Sequence, residues 1–277
     1  MSQLAARMGN ATQYRASSPL SDDQIARIAP SVFATEKHQS RSARYTYVPT
    51  IEVLSGLRKE GFQPFMVAQG RTRVEGKAEF TKHMLRLRHA SDIATSEANE
   101  IILINSHDGT SSYQMLSGLI RFACCNGLVC GENMNDIRIK HSGDIVGNVI
   151  QGAYDTLDGF GLIRDVTEQM KGTPLTHLES LVFAESAMLL KYDDGEPAPI
   201  QATQLLCTRR SEDRDSSLWT TFNKVQENVV RGGLRGRSAN GRRMTTREVT
   251  AIDGNVKLNR ALWTLAERMA ELKGGIA

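Results

Sequence analysis

Residues 105–109, Asn-Ser-His-Asp-Gly, are the group in this chain that comes nearest to a chemical site. A histidine beside an aspartate can act as a general base with an orienting carboxylate, or supply two metal ligands. The same residues are also typical of a turn, in which Asp-Gly reverses the chain. Asp108, or Ser111 just after the motif, would then cap a following helix. No nucleophile with a matching base stands nearby, so hydrolase chemistry is not indicated. We interpret Asn105, His107, Asp108 and Gly109 as a structural turn, with a metal-dependent nuclease using His107 and Asp108 as an alternative.

A second group of candidates is basic and lies where the sequence alternates like a β-strand. In Met-Leu-Arg-Leu-Arg, residues 84–88, Arg86 and Arg88 fall on one side of the strand because side chains repeat every two residues. Such a face can follow a phosphate backbone, or it can simply be solvated. The DNA-binding candidates in this region are Arg71, Arg73, Lys82, Arg86 and Arg88.

The third group is the arginine- and glycine-rich segment 231–247, which holds six arginines, four glycines and no acidic residue. Arginines on such a segment suit phosphate contact and stacking on unpaired bases, or the segment is an ordinary basic loop. The composition cannot pack a core, so we expect a mobile strap that closes over a bound strand. Its glycines match no phosphate-loop or dinucleotide signature, which disfavours an ATP-driven function. The candidates here are Arg231, Arg235, Arg237, Arg242 and Arg243.

Charge is distributed unevenly along the 277 residues, although the net charge is only +3. Residues 1–143 hold 17 basic and 13 acidic side chains, residues 144–204 hold 3 and 10, and residues 205–277 hold 14 and 8. The segregation predicts basic regions able to meet an anion such as nucleic acid, or alternatively no more than a solvated surface.

Bulk features point to a globular protein of a reducing compartment. Hydrophobic residues make up 40% of the chain, and no apolar run is long enough to cross a bilayer. The N-terminus lacks the apolar core of a signal peptide. We expect Cys124, Cys125, Cys130 and Cys207 to be reduced thiols, because their spacing supplies no zinc site.

The hydrophobic pattern predicts an α+β fold, with a central antiparallel three-stranded meander packed with helices and a helical C-terminal half. We expect a polar N-terminal arm with a short helix over residues 1–48 and a single α+β domain over residues 49–277. The core, about residues 50–130, is predicted as helix, three strands and helix. The second of these helices begins near Ser111 and ends near Asn126-Gly127.

The C-terminal half is predicted to be helical over residues 145–230, followed by a basic loop over 231–256 and a terminal helix over 257–273. Two capping-box patterns mark helix starts in the chain, Ser21 with Gln24 and Thr176 with Glu179.

Several stretches together resemble a known family: NSHDGTSSYQMLSGLIRFACCNGLVC, AMLLKY, WTTFNKVQENVVRGGLRGR and VKLNRALWTLAERMAELK. They are similar to the phage/plasmid-like proteins of unknown function found on prophages and conjugative plasmids (domain of unknown function 932). The resemblance runs from about residue 40 to the end. It implies a mobile-element gene in a bacterial cytoplasm and no established activity. The helix–meander–helix plan also resembles, in architecture alone, the Rad52-type single-strand annealing proteins.

Charge and resemblance together favour a non-catalytic protein that binds and anneals single-stranded DNA in phage or plasmid recombination. A basic groove would neutralise phosphates and leave base edges outward. We expect neither a nucleotide, a cofactor nor a metal to be needed, no membrane partner, and a homo-oligomeric ring or filament. The main alternative is a host-interaction, anti-defence or regulatory protein that acts through protein contacts, using its acidic middle from Asp155 to Glu185 as readily as its basic ends.

Overall fold

An antiparallel sheet dominates the N-terminal half of the chain. The computed structural model describes residues 5–8, 11–39, 47, 49–90, 97–111, 113–121, 126–130, 137–139, 145–192 and 197–274. The strands are β1 (Ala5–Met8), β2 (Ala11–Arg15), β3 (Phe62–Gly70), β4 (His83–His89), β5 (Glu97–Asn105), β6 (Tyr113–Arg121), β7 (Asn126–Val129) and β8 (Ile137–Ile139). They are ordered β1 to β7 across the sheet, and β8 also pairs with β6. The predicted meander is confirmed as β3, β4 and β5 within this larger sheet.

The chain divides into two compact units, Met1–Phe160 with Thr250–Ile252 and Gly161–Val249 with Asp253–Ala277. The first contains the sheet and the second is helical with one hairpin. The α+β class and the helical C-terminal half are therefore confirmed. The boundary expected at residue 49 stays a prediction.

Helices of the first unit are α1 (Asp22–Ile28), α2 (Thr50–Lys59) and α3 (Ile145–Asp158), with a short 3-10 helix at Pro30–Phe33. The predicted capping box at α1 is confirmed, because Ser21 Oγ accepts from the Gln24 amide and Gln24 Oε1 accepts from the Ser21 amide. Gly61, at φ +87°, follows α2 and turns the chain into β3.

The helix predicted from Ser111 to Gly127 is wrong, because this stretch forms β6 and the start of β7. Both faces of β6 are covered, and Met115, Leu116, Leu119 and Ile120 are all buried. A strand buried on both faces loses the two-residue alternation that identifies a strand, so its apolar spacing can imitate a helix. Neither Asp108 nor Ser111 therefore caps a helix. The Rad52-like plan also loses the helix that it needs after the meander.

The second unit is built around a buried helix. Its elements are α4 (Phe160–Gly172), α5 (His177–Lys191), α6 (Ala202–Leu205), α7 (Leu218–Arg231), β9 (Arg235–Arg237), β10 (Arg243–Thr245) and α8 (Ile252–Gly274). Every residue of α7 from Leu218 to Val230 is buried except Lys224, and its Phe222 contacts Trp263 of α8 edge to face. The predicted capping box of Thr176 and Glu179 is confirmed at the start of α5.

None of the helices within the described ranges is long and apolar enough to cross a membrane. Cys130 is buried and Cys207 is exposed, and each carries a thiol rather than a disulfide. The reducing compartment expected from the sequence stays a prediction. Cys124 and Cys125 lie outside the described residues.

Candidate nucleic-acid interface

The arginine-rich segment folds into a two-stranded hairpin, in which β9 pairs antiparallel with β10. Arg237 lies opposite Arg243, Arg235 opposite Thr245, and Gly236 opposite Met244. Opposed residues share a face and so do residues two apart along a strand. Arg235, Arg237 and Arg243 therefore project from one face of the hairpin, and all three are exposed.

Backbone hydrogen bonds close this hairpin at both ends, so the irregular loop predicted from composition is wrong here, while the predicted mobility stays a prediction. At the base, the Gly233 amide donates to Thr246 O and the Thr246 amide donates to Leu234 O, both at 2.9 Å. At the tip, the Gly241 amide donates to Ser238 O at 2.8 Å, and Gly241 has φ +73°. The sequence signal that could have found the hairpin is Asn240-Gly241, a dipeptide that favours tight turns between strands.

The back face of the hairpin rests on the segment before α6. The Arg237 amide donates to Pro199 O at 2.8 Å, and Gln204 Nε2 donates to Arg235 O at 2.9 Å. A Cβ on Gly236 would collide with the Pro199 carbonyl, so only glycine allows this close approach. Docking through Gly236 fixes the direction in which the arginine face points.

The arginine face is an uncompensated positive surface within the described part of the chain. The guanidinium groups of Arg235, Arg242 and Arg243 form no ion pair there, and that of Arg237 donates to Gly241 O at 3.0 Å. Arg231 differs, because its Nη1 lies 2.7 Å from Glu227 Oε1. Arg235, Arg237, Arg242 and Arg243 therefore remain available to an external anion.

The other predicted basic residues lie in the first unit. Arg71 and Arg73 are exposed in the loop between β3 and β4, and Lys82 is half-buried just before β4. All three are accessible on the first unit.

Arg86 and Arg88 do not form the open basic face that the alternation of β4 predicted. Both are buried, with Arg86 Nε 2.5 Å from Glu100 Oε2 and Arg88 Nε 3.0 Å from Glu100 Oε1. Arg15 Nη1 also approaches Glu100, at 3.5 Å. Burial by itself would raise the pKa of the Glu100 carboxyl, but Arg86, Arg15 and Arg88 hold it below its ordinary value. These arginines neutralise an internal carboxylate and offer no surface to DNA.

The Asn-Ser-His-Asp-Gly motif contributes to a buried polar network. Asn105 Nδ2 donates to Thr50 Oγ1 at 3.0 Å, and Thr50 Oγ1 lies 2.9 Å from His83 Nε2. The other ring nitrogen of His83 lies 2.9 Å from Ser31 Oγ. His107 Nε2 lies 3.5 Å from Thr50 Oγ1. All five side chains are at most 1% exposed, so substrate cannot reach them directly. Sequence reasoning missed His83; a polar residue beginning an apolar strand was the available signal.

Asp108 faces away from this network and closes its own turn. Its Oδ1 accepts from the Thr110 amide at 3.0 Å and from Thr110 Oγ1 at 2.6 Å, and its Oδ2 lies 3.1 Å from Lys77 Nζ. Burial would raise the pKa of Asp108, but Thr110 and Lys77 hold it below its ordinary value. His107 and Asp108 thus have different partners. Within the described ranges, no three His, Cys, Asp or Glu side chains are placed to hold a metal. This geometry gives the nuclease alternative no support.

A family model described as Domain of unknown function (DUF932) matches residues 37–263. The chain belongs to the DUF932 family. Two curated relatives from Escherichia coli (strain K12) are similar over nearly their whole length. UPF0380 protein YafZ is 48% identical over 269 residues, which are 97% of this chain and 98% of its own. UPF0380 protein YfjQ is 47% identical over 269 residues with the same coverage. No solved structure matches, and nothing supports the Rad52 likeness.

In this DUF932 protein, Gly127 has a packing role at the start of β7. A Cβ on Gly127 would collide with the Arg86 guanidinium, and one on Gly118 of β6 would lie 2.8 Å from Arg86 Nη2. The Arg86 side chain crosses both glycines and donates from Nη2 to Leu128 O at 2.6 Å. Gly127 therefore makes room for the buried arginine and does not end a helix.

Proposed function

We propose that this DUF932 protein binds single-stranded DNA without catalysis, through the exposed face of the β9–β10 hairpin. The observation that carries the proposal is that Arg235, Arg237 and Arg243 share one face, in a segment without any acidic residue. Guanidinium groups bind phosphates in a bidentate manner and can also stack on bases. A docked hairpin presents them already oriented, which lowers the ordering cost of binding.

The composition of the hairpin favours recognition without sequence preference. Segment 231–247 contains no aromatic side chain, so the arginine planes are the groups there that can stack on unpaired bases. Phosphate contacts carry no sequence information. Annealing of complementary strands would follow if bound bases remain outward, and a ring or filament of subunits would extend the surface. We place this activity in the cytoplasm of a bacterium that carries a phage or plasmid, with no need for ATP.

The test is fluorescence anisotropy with labelled single-stranded and duplex DNA over a salt series, beside an annealing assay without nucleotide. The hairpin variant replaces Arg235, Arg237, Arg242 and Arg243 with alanine. We expect its affinity to fall steeply and its salt dependence to flatten, since each lost phosphate contact removes about 0.7 from the log–log slope on single strands.

The matched control removes the same charge from exposed positions elsewhere in the second unit: Arg164, Arg214, Lys257 and Arg268 to alanine. It should bind DNA nearly as the wild type does if the hairpin is the site. Equal loss in both variants would indicate net charge alone. Wild-type protein that binds no DNA at about physiological ionic strength would refute the proposal.

One observation favours the protein-contact alternative. Leu178, Val182, Leu189 and Leu190 of α5 are 68%, 48%, 74% and 46% exposed. Clustered exposed apolar side chains often mark protein contacts. If α5 binds a protein partner, Leu178→Ser with Leu189→Ser should abolish that contact and leave the anisotropy with DNA unchanged.

A further inference from the structure

The segment Gln-Glu-Asn at 226–228, just before the hairpin, is polar yet buried. Each of its side chains is at most 2% exposed on α7. Gln226 Nε2 donates to Asn259 Oδ1 at 2.8 Å, and Glu227 accepts from Arg210 and Arg231, each at 2.7 Å. Buried polar groups need such partners, and so this segment is a connector within the unit rather than a surface that a ligand reaches.

Asn228 is linked to the base of the hairpin through the side chain of Arg209. Its Nδ2 donates to Leu205 O and Cys207 O, both at 2.9 Å, while its Oδ1 accepts from Arg209 Nε at 2.7 Å. Arg209 Nη2 then donates to Gly232 O at 2.6 Å. The side chain of Arg209 thus joins the body of the unit to the first residue after α7.

Gly232 is the point at which the chain enters the hairpin. Its φ is +64°, in the left-handed region, and an added Cβ would lie 2.7 Å from Thr246 O and from Arg247 O on the returning strand. The two strands of the hairpin base therefore cross here at close range. A bond that fixes the Gly232 carbonyl also fixes the start of β9.

Arg209 contributes the hydrogen-bond geometry of its guanidinium rather than its charge. Arg210 and Arg231 lie against the Glu227 carboxylate, whereas Arg209 bonds to an amide oxygen and a peptide carbonyl and forms no ion pair among the residues described. Donors on one planar guanidinium reach two neutral oxygens at once. A lysine ammonium keeps the charge but lacks this fork.

We infer that Arg209 is a positioning residue, which together with Asn228 fixes the base of the hairpin so that its arginines meet DNA as one surface. The effect on DNA rests on the proposed function. The effect on the order of the hairpin is independent of the proposed function, because that effect follows from the Arg209–Gly232 hydrogen bond alone. Two separate readouts can therefore test the two parts.

The informative variant is Arg209→Lys, with Arg214→Lys, an exposed arginine of the same unit, as the matched control. Hydrogen exchange would be followed at the amides of Gly233, Leu234 and Thr246, which donate the hydrogen bonds of the hairpin base. We expect Arg209→Lys to speed exchange there on the order of tenfold or more, with the exchange of α7 and the melting temperature unchanged. The control should match the wild type.

The DNA measurement then separates positioning from charge. We expect Arg209→Lys to weaken single-strand binding by about tenfold and to lower the salt slope, since fewer arginines of a loosened hairpin bind at one time. Unchanged exchange at the hairpin base would overturn the inference. Faster exchange with unchanged DNA affinity would overturn its functional part. If wild-type protein binds no DNA, the proposed function fails, and the exchange result alone decides the role of Arg209.

Discussion

Arg237 and Arg243 face each other directly across the hairpin, with no acidic residue anywhere in segment 231–247. Like charges at directly opposed positions destabilise a pair of strands. The hairpin therefore keeps an arrangement that folding stability alone does not favour. An anionic ligand lying over this face would supply the missing countercharge, which is the relationship expected of a binding surface.

Replacing Arg243 should change the stability of the fold and the affinity for DNA in opposite directions. We expect Arg243→Gln to raise the free energy of unfolding by roughly 0.2–1 kcal/mol, the range of cross-strand pair effects, while it weakens DNA binding. Arg243→Lys keeps the repulsion and should show no such gain. Urea denaturation and anisotropy measure the two effects. A destabilised Arg243→Gln variant would show that the arginine supports the fold.

The internal carboxylate of the sheet should be far less tolerant of change. Glu100→Gln leaves Arg86 and Arg88 buried without their anion, and we expect a loss of about 3–5 kcal/mol in the free energy of unfolding. The control is Glu271→Gln, whose partner Arg268 is exposed, and it should change stability very little. Chemical denaturation compares them, and similar losses in both variants would argue against a buried ionic centre.

Acid should destabilise the protein through His83. Burial, followed by the nearby His107, lowers the pKa of His83 from an ordinary 6.5 to about 3. Above pH 6.5 the residue is neutral in both states and contributes no pH dependence. Between about pH 3 and pH 6.5, His83 binds a proton in the unfolded chain but not in the folded chain. Stability should therefore fall as pH drops from 6.5 towards 3, by up to about 1.4 kcal/mol per pH unit for this group.

The check on this slope is a comparison with His83→Asn between about pH 6 and pH 5, above the range in which carboxylates titrate most. The variant loses bonds to Ser31 and Thr50 and should be less stable at neutral pH. Its stability should nevertheless depend less on pH than that of the wild type. Parallel slopes would mean that His83 takes up its proton in the folded state as readily as in the unfolded one.

Local signals were enough to predict much of the helical structure. The capping boxes at Ser21 and Thr176 act within one turn, so the sequence contains all of the groups that take part. The meander was also predictable, because β4 and β5 are short, apolar and separated by polar segments. β6 was not, because its two buried faces depend on neighbours that the sequence does not reveal.

The candidate site was predictable in composition but not in geometry. The arginines of segment 231–247 are evident from the sequence, whereas the docking of Gly236 on Pro199 joins positions that are distant along the chain. The prediction that Arg86 and Arg88 form an open basic face was wrong for a related reason. Alternation correctly puts both on one face of β4, but only the pairing of strands shows that Glu100 on β5 neutralises them.

The Arg86 side chain restricts how this sheet can diverge among related sequences. Its guanidinium occupies space that a Cβ on Gly118 or Gly127 would need, and its charge requires Glu100. Position 86 is therefore expected to change together with positions 118 and 127, whereas the acid at 100 is also required by Arg88. A relative with a shorter apolar residue at position 86 would be free to carry alanine at 127, and at 118 if residue 102 is also smaller, whereas alanine at either glycine without these changes should be selected against.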